Sequence, residues 1–201
     1  MDEILSYYKS VPPFTRYFMT AVFIASFGMT YSMISPYWLI LDFSKVFKKL
    51  HFWRLLTTFV FAGKFSQSFL FTMIMMYFTI RRCEEYFKTK YADFMVLVLF
   101  NMTAVCFYAF LYGDYMVLHE PFVFSLMYVW CKLEPDQMIS LWGFPVKSSN
   151  LPWVLIVLSI LTAGDPFKDL IGIAAGHTYI FLKMILPQSH RYELLRTPLM
   201  F

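Results

Sequence analysis

Charged side chains are scarce in this chain: they make up 15% of its 201 residues, where about a quarter is usual for a soluble domain. Hydrophobic residues account for 59% of the chain and aromatic residues for 21%. A globule of this size could not bury so much apolar surface and still present a polar exterior to water. The composition therefore excludes an ordinary soluble domain and indicates a membrane protein.

Cysteine is also scarce, and its spacing excludes two further classes. Cys83, Cys106 and Cys131 are odd in number and lack metal-ligand spacing, so we expect no disulfide framework, no zinc site and no other cofactor. The net charge of +4 is modest, and the basic residues lie between apolar segments rather than in a stripe. That pattern excludes nucleic acid as a partner and favours the headgroups of a lipid bilayer. Residues 1–10 contain no apolar run, so we expect no cleavable signal peptide.

Long apolar runs are what the chain has instead. A helix crosses the bilayer core with about 20 apolar residues, and six runs predict such helices: 17–34, 65–81, 93–112, 115–131, 151–163 and 168–186. The fifth run is bracketed by Pro152 and Pro166 and is short, and His119, Glu120 and Pro121 interrupt the fourth. Short helices either thin the bilayer beside them or are shielded inside the bundle, and the sequence leaves both alternatives open.

The interval 35–64 is too long for a simple turn between the first two predicted helices. Pro36 after Ser35 is typical of a helix start, and the apolar spacing that follows predicts an interfacial amphipathic helix. Residues 51–62 are too short to cross the membrane and predict a membrane-embedded loop. The distribution of Lys and Arg favours a cytosolic N-terminal segment, 1–16, and a short cytosolic C-terminal tail, 187–201. Six basic residues then lie on the opposite side: Lys45, Lys48, Lys49, Arg54, Lys64 and Lys168.

Two motifs stand out in this arrangement. Arg54 in the embedded loop would cost about 3 kcal/mol at membrane depth unless it is paired. Trp53-Arg54 therefore either pins the loop, with Arg54 capping backbone carbonyls or gripping a phosphate, or is an ordinary interfacial anchor. Gly172 and Gly176 lie four residues apart on one helix face and predict close approach of a second helix. The glycine pair indicates packing rather than chemistry.

Polar residues inside the predicted spans are few. Asn101, Asp169 and His177 are candidates for hydrogen bonds between helices of the bundle. Ser125 together with His177 raises the possibility of a serine–histidine dyad. The bulky neighbours Phe124 and Leu126, however, leave no room for an acyl group or for oxyanion donors. The sequence therefore predicts no catalytic residues.

Taken together these features resemble the rhomboid superfamily, and within it the Derlin family. The strings that resemble Derlins run in one order along nearly the whole chain, at residues 34–36, 52–55, 92–94, 128–130, 151–155, 169–177 and 197–198. The resemblance implies an all-α membrane protein, a six-helix rhomboid-like bundle forming a single domain over 1–201. It also implies a pseudoprotease, because Asp169 and not a histidine precedes the glycine pair.

The resemblance implies a function as well. Derlins assist the retrotranslocation of misfolded proteins in degradation associated with the endoplasmic reticulum, through a locally thinned membrane. The implied partners are misfolded clients, a membrane RING ubiquitin ligase, an AAA ATPase and a possible second copy of the chain. Residues 187–201 are shorter than the tail with which many Derlins recruit that ATPase. Two alternatives stay open at this point: an active intramembrane serine protease, and a membrane scaffold without a conduit.

Overall fold

The structure is a computed structural model, and it describes residues 2–112, 115–141, 143–162 and 164–187. These residues are mostly helical, and the helices are α1 (Asp2–Ser10), α2 (Pro13–Thr30), α3 (Pro36–Leu39), α4 (Phe43–Lys49), α5 (Arg54–Val60), α6 (Gln67–Tyr86), α7 (Tyr91–Tyr112), α8 (His119–Leu133), α9 (Leu151–Leu161) and α10 (Pro166–Ile180). A single turn of 3₁₀-helix, Ser148–Asn150, precedes α9, and a π-helical segment, Phe181–Ile185, follows α10. The chain divides into two compact units, Met1–Thr89 with Ala109–His119, and Lys90–Tyr108 with Glu120–Phe201.

The first unit is built around α2 and α6, whose buried faces supply most of its core. Val22 and Met29 of α2 are fully buried, as are Met76 and Ile80 of α6. The predicted boundary of the first apolar helix at residue 17 was wrong, because the helix already begins at Pro13. Proline at the first helical position has no N–H that would need a partner, and its backbone angle suits a helix start.

The predicted amphipathic helix after Pro36 is not continuous. Helix α3 has only four residues, and α4 starts afresh at Phe43 after Asp42, whose side chain accepts a hydrogen bond from the Lys45 N–H. Leu41, in the segment that connects the two helices, is buried, and its N–H donates to the Met116 carbonyl. The break therefore has two causes, an N-cap and a buried leucine. Helix α5 then occupies much of the segment predicted as an embedded loop.

The same contact explains why α8 starts late. Residues 115–118 were predicted to open the fourth apolar helix, but they are not helical, and α8 begins at His119. Within the first unit the Met116 carbonyl accepts from Leu41 N–H and from the Thr58 hydroxyl, which in turn accepts from Leu118 N–H. These backbone groups are therefore already used and cannot join a helical ladder.

The second unit contains α8, α9, α10 and most of α7. By length and composition, α7 with its 22 residues is the one helix among the described residues that can cross a membrane, and α9 belongs to the shorter apolar helices. The six-helix transmembrane bundle stays a prediction. The described part of the sixth run continues past α10 through the π-helical segment to residue 187, and the rest of the predicted tail, 188–201, lies outside the described residues.

One short element departs from the predicted all-α architecture, although the described residues remain mostly helical. Strands β1 (Met138–Leu141) and β2 (Phe144–Lys147) form an antiparallel hairpin between α8 and α9. Gly143 in its two-residue turn has a φ of 90°, a left-handed value that glycine adopts without strain. The hairpin is thus a short extension of the second unit.

Candidate functional site

Arg54 lies at the start of α5, and its side chain is buried with 5% exposure. Its Nη1 donates to the carbonyl oxygens of Tyr37 at 2.6 Å and of Ile40 at 2.7 Å. One turn along α5, the Thr57 hydroxyl donates to the Leu39 carbonyl at 3.2 Å. These carbonyls form the end of α3, where a helix has no partners of its own and carries partial negative charge. Arg54 therefore caps α3 and fastens it to α5.

Trp53 has a different environment from its neighbour. It is 43% exposed, and its ring stacks on His51 with centroids 4.3 Å apart and on Trp38 at 6.5 Å. Trp38 is itself 60% exposed and Phe52 is 57% exposed. Exposed, stacked indoles are typical of the membrane–water interface. The motif thus combines a buried structural arginine with an exposed aromatic surface.

Gly172 and Gly176 lie on α10 against the backbone of α8. A Cβ atom at Gly172 would come within 2.6 Å of the Pro121 carbonyl oxygen, and one at Gly176 within 2.7 Å of the Ser125 carbonyl oxygen. Real Cβ atoms do not approach backbone so closely, so each glycine is required by the crossing of the two helices. The pair brings α10 onto α8 along the turns that carry Ser125 and Tyr128.

Ser125 and His177 lie near this crossing but bind other groups. Ser125 is fully buried, and its hydroxyl donates to the Phe122 carbonyl at 2.7 Å. The Nδ1 atom of His177, on the exposed side of α10, is 3.1 Å from the Tyr128 hydroxyl. A nucleophile and its base would need a hydrogen bond to each other. In this arrangement the serine hydroxyl is directed at its own helix instead.

The other two polar candidates have separate surroundings. Asn101 is fully buried in α7, and its amide nitrogen donates to the Leu97 carbonyl one turn earlier at 2.8 Å. Asp169 lies in the first turn of α10, and its Oδ2 atom is buried without a hydrogen-bond partner among the described residues. Beside it Lys168 pairs with Glu120 of α8 at 3.2 Å. Asn101 thus bonds within its own helix, and the ion pair beside Asp169 joins α10 to α8.

Comparison with known proteins decides the family. The model of the Der1-like family matches residues 11–199. The chain belongs to the Der1-like family. Derlin-2.1 of Arabidopsis thaliana is 33% identical to this chain, in an alignment that covers 98% of this chain and 86% of Derlin-2.1. Derlin-1 of Oryza sativa subsp. japonica is 32% identical, in an alignment that covers 99% of this chain and 84% of that protein. The probable derlin-2 homolog of Dictyostelium discoideum is 32% identical, in an alignment that covers 96% of this chain and 79% of that protein. The Derlin resemblance read from the sequence is confirmed, and with it the class of membrane protein.

Sequence reasoning missed one buried charge in this Derlin. Glu84 lies near the end of α6, where a charged residue would be expected to face solvent, but it is only 3% exposed. Its carboxylate accepts from Phe14 N–H at 2.8 Å and from both the N–H and the hydroxyl of Thr15 at 2.7 Å. Glu84 therefore caps the first turn of α2 from the end of α6. No local signal marks this role, because the two segments are about 70 residues apart.

Asp93 also has a role that was not foreseen. It lies in the first turn of α7 and pairs with Lys183 of the π-helical segment at 3.1 Å. Both side chains are largely buried, with 16% and 25% exposure. An ion pair with so little exposure is screened less by water than a surface pair. It ties the end of the last helical run of the Derlin to the start of α7.

Proposed function

We propose that this Derlin is a non-catalytic factor of degradation associated with the endoplasmic reticulum, which assists retrotranslocation by thinning the membrane locally and binding misfolded clients. It resides in the endoplasmic reticulum membrane with both termini in the cytosol. A membrane RING ubiquitin ligase and an AAA ATPase act with it. The observation that carries the proposal is the length of α9 together with its exposure.

Helix α9 is too short for an ordinary bilayer. Its 11 residues rise by about 16 Å, roughly half of a hydrocarbon core of about 30 Å. Its apolar side chains are not shielded by the protein, since Trp153, Val157, Ile160 and Leu161 are all more than half exposed. A short helix with an apolar exposed surface matches a thin bilayer and mismatches a thick one. Lipid beside α9 is therefore expected to thin.

Helix α8 does not support thinning in the same way. It has 15 residues, and every residue from Ser125 to Cys131 is buried. A short helix that is shielded from lipid imposes no mismatch on the bilayer. Of the two short helices predicted from the sequence, only α9 supports the thinning mechanism.

The surroundings of Ser125 support the non-catalytic part of the proposal. An acyl-transfer site needs open space at the nucleophile and donors aimed at the oxyanion. Ser125 is instead packed under the α8–α10 crossing, with Gly176 against its carbonyl group and its hydroxyl bonded to Phe122. A fluorophosphonate that labels the wild-type chain but not Ser125→Ala would overturn this part and favour a protease.

The function is tested by following client degradation in cells. Trp53→Ala removes an exposed ring that is part of no buried contact network, so the fold should persist while extraction of a misfolded client slows by several-fold. Tyr31→Ala, which removes another exposed aromatic ring, is the matched control. An unchanged extraction rate for Trp53→Ala would contradict a role for this exposed aromatic surface in extraction.

A further inference from the structure

The β1–β2 hairpin has no part in the proposed thinning. Its strands pair Met138 with Lys147, Ile139 with Val146, Ser140 with Pro145 and Leu141 with Phe144. The topology predicted from Lys and Arg places it between two spans on the cytosolic side. Its two strands are its whole sheet, so within the described chain each strand has one paired edge and one open edge.

The hydrogen-bonding pattern shows which backbone groups face outward. In an antiparallel pair, residues alternate between those that exchange hydrogen bonds with their partner and those that turn both backbone groups away. Ser148 N–H donates to the Gln137 carbonyl at 2.8 Å, which assigns the 137/148 pair to the bonded class. Counting in steps of two, the pairs 139/146 and 141/144 are also bonded. Met138 and Ser140 on β1 therefore direct N–H and C=O outward, as do Pro145 and Lys147 on β2.

The two outer edges differ in a way that matters for binding. On β2 the outward position at Pro145 has no N–H, and Lys147 places a charge beside it, which are two common means of blocking an edge strand. On β1 both outward residues are uncharged, retain their N–H groups and are exposed. Within the described residues, neither of those two N–H groups donates to a backbone carbonyl outside the hairpin. The β1 edge is the open one.

We propose that the outer edge of β1 binds an extended segment of unfolded polypeptide by strand addition. The inference deepens the proposed function, on which it rests, because it names the class of ligand that the client-binding activity takes on the cytosolic side. A row of alternating N–H and C=O groups is complemented only by another extended backbone. Since every residue except proline supplies the same backbone groups, such a site accepts clients of different sequence.

The geometry also sets the strength of this binding. Only two residues of β1 present outward groups, so the edge forms few hydrogen bonds, each with a net contribution of about 1 kcal/mol. The exposed Met138, with 56% of its surface accessible, adds a flexible apolar contact that adapts to many side chains. Binding at this edge is therefore weak and reversible. Weak binding suits a client segment that has to be released during retrotranslocation.

The test uses the full chain in nanodiscs and a fluorescent peptide of alternating Thr and Val, with no ligase or ATPase present. Ser140→Pro removes the outward N–H of Ser140, so that β1, like β2 at Pro145, has a position without a donor on its outer edge. The bonded pairs of the hairpin stay in place. Ser140→Ala, which keeps the N–H, is the matched control. We expect Ser140→Pro to weaken peptide binding by about tenfold and Ser140→Ala to change it by less than twofold.

A second experiment uses the wild-type protein, so its result does not depend on whether Ser140→Pro disturbs the hairpin. The same peptide with an N-methyl group on every amide has no N–H left on either edge to pair with a strand, and its binding to the wild-type chain should be lost. Equal binding of methylated and unmethylated peptide would overturn the inference. So would a change in oligomeric state on Ser140→Pro without any peptide binding, which would assign the edge to a second copy of the chain. Neither result bears on bilayer thickness beside α9, which tests the proposed function separately.

Discussion

The carboxylate of Glu84 accepts hydrogen bonds from both the N–H and the hydroxyl of Thr15, each at 2.7 Å, and both residues are almost completely buried. This contact fixes the start of α2 to the end of α6. A glutamate from a distant helix thereby serves as the N-terminal cap of the first apolar helix. Its negative charge lies where the backbone of α2 presents unpaired N–H groups.

Replacing Glu84 should therefore destabilise the chain. Glu84→Ala leaves Thr15 and Phe14 without an acceptor, and hydrogen bonds to a charged group contribute about 1.5–3 kcal/mol. Thermal unfolding in micelles, followed by tryptophan fluorescence, should show a clearly lower midpoint. Glu85→Gln is the control, because Glu85 forms an exposed pair with Arg81 that should contribute at most about 1 kcal/mol. Equal effects of the two substitutions would contradict the capping role.

The glycines of α10 give a second prediction. Gly172→Ala and Gly176→Ala would each place a methyl group against the backbone of α8, at distances of 2.6 and 2.7 Å that force the helices apart. Overpacking of this kind costs about 1–3 kcal/mol. Ala174→Val enlarges a half-buried position of the same helix and should have a smaller effect on the unfolding midpoint. If the alanine variants were as stable as the wild type, the close crossing of α8 and α10 would be wrong.

Arg54 gives a third prediction, distinct from that for Trp53. Arg54→Ala leaves the carbonyls of Tyr37 and Ile40 unpaired in a partly buried site, at a cost of about 1–3 kcal/mol. Hydrogen exchange should therefore accelerate over residues 36–41. Lys48→Ala removes an exposed charge from the same loop and should leave exchange there unchanged. Protection that survives Arg54→Ala would show that α3 is held by other contacts.

Asp42 gives a prediction about pH. Hydrogen bonds from the Lys45 side chain and from its N–H hold the pKa of the Asp42 carboxyl below the ordinary value of about 3.9. Because the folded pKa is lowered, the carboxylate stabilises α4 at pH values above the unfolded pKa, and this stabilisation is lost as the pH falls through the folded pKa. The amide resonance of Lys45 should report loss of the cap only below about pH 4. In Asp42→Asn that transition should be absent; its persistence would assign the titration to another group.

The sequence predicts some of these features well and others not at all. The start of α9 follows from Pro152 and the start of α10 from Pro166, because proline is tolerated in the first turn of a helix and not in its interior. The close approach at Gly172 likewise follows from residue type and spacing alone. The cap formed by Glu84 does not, because it depends on which distant backbone meets the end of α6.

Two further errors have identifiable physical causes. The hairpin was missed although short alternating segments flank a two-residue turn ending in Gly143, because the composition favoured helices throughout. The break between α3 and α4 was missed because the apolar spacing continues across it, while the capping by Asp42 and the burial of Leu41 interrupt the helix. In each case tertiary contacts or turn geometry override the periodicity of the apolar residues.

The central claim is that lipid thins beside α9, and spin labels along that helix test it most directly. Labels at Trp153 and Leu161, both exposed positions near its two ends, would be placed one at a time in the chain reconstituted in a bilayer of ordinary thickness. Collision with a polar relaxation agent then reports the depth of each label. Thinning predicts that both labels lie near headgroups although about 12 Å of helix separates them. If one label lay deep in hydrocarbon, with lipid of full thickness beside α9, the account would be contradicted.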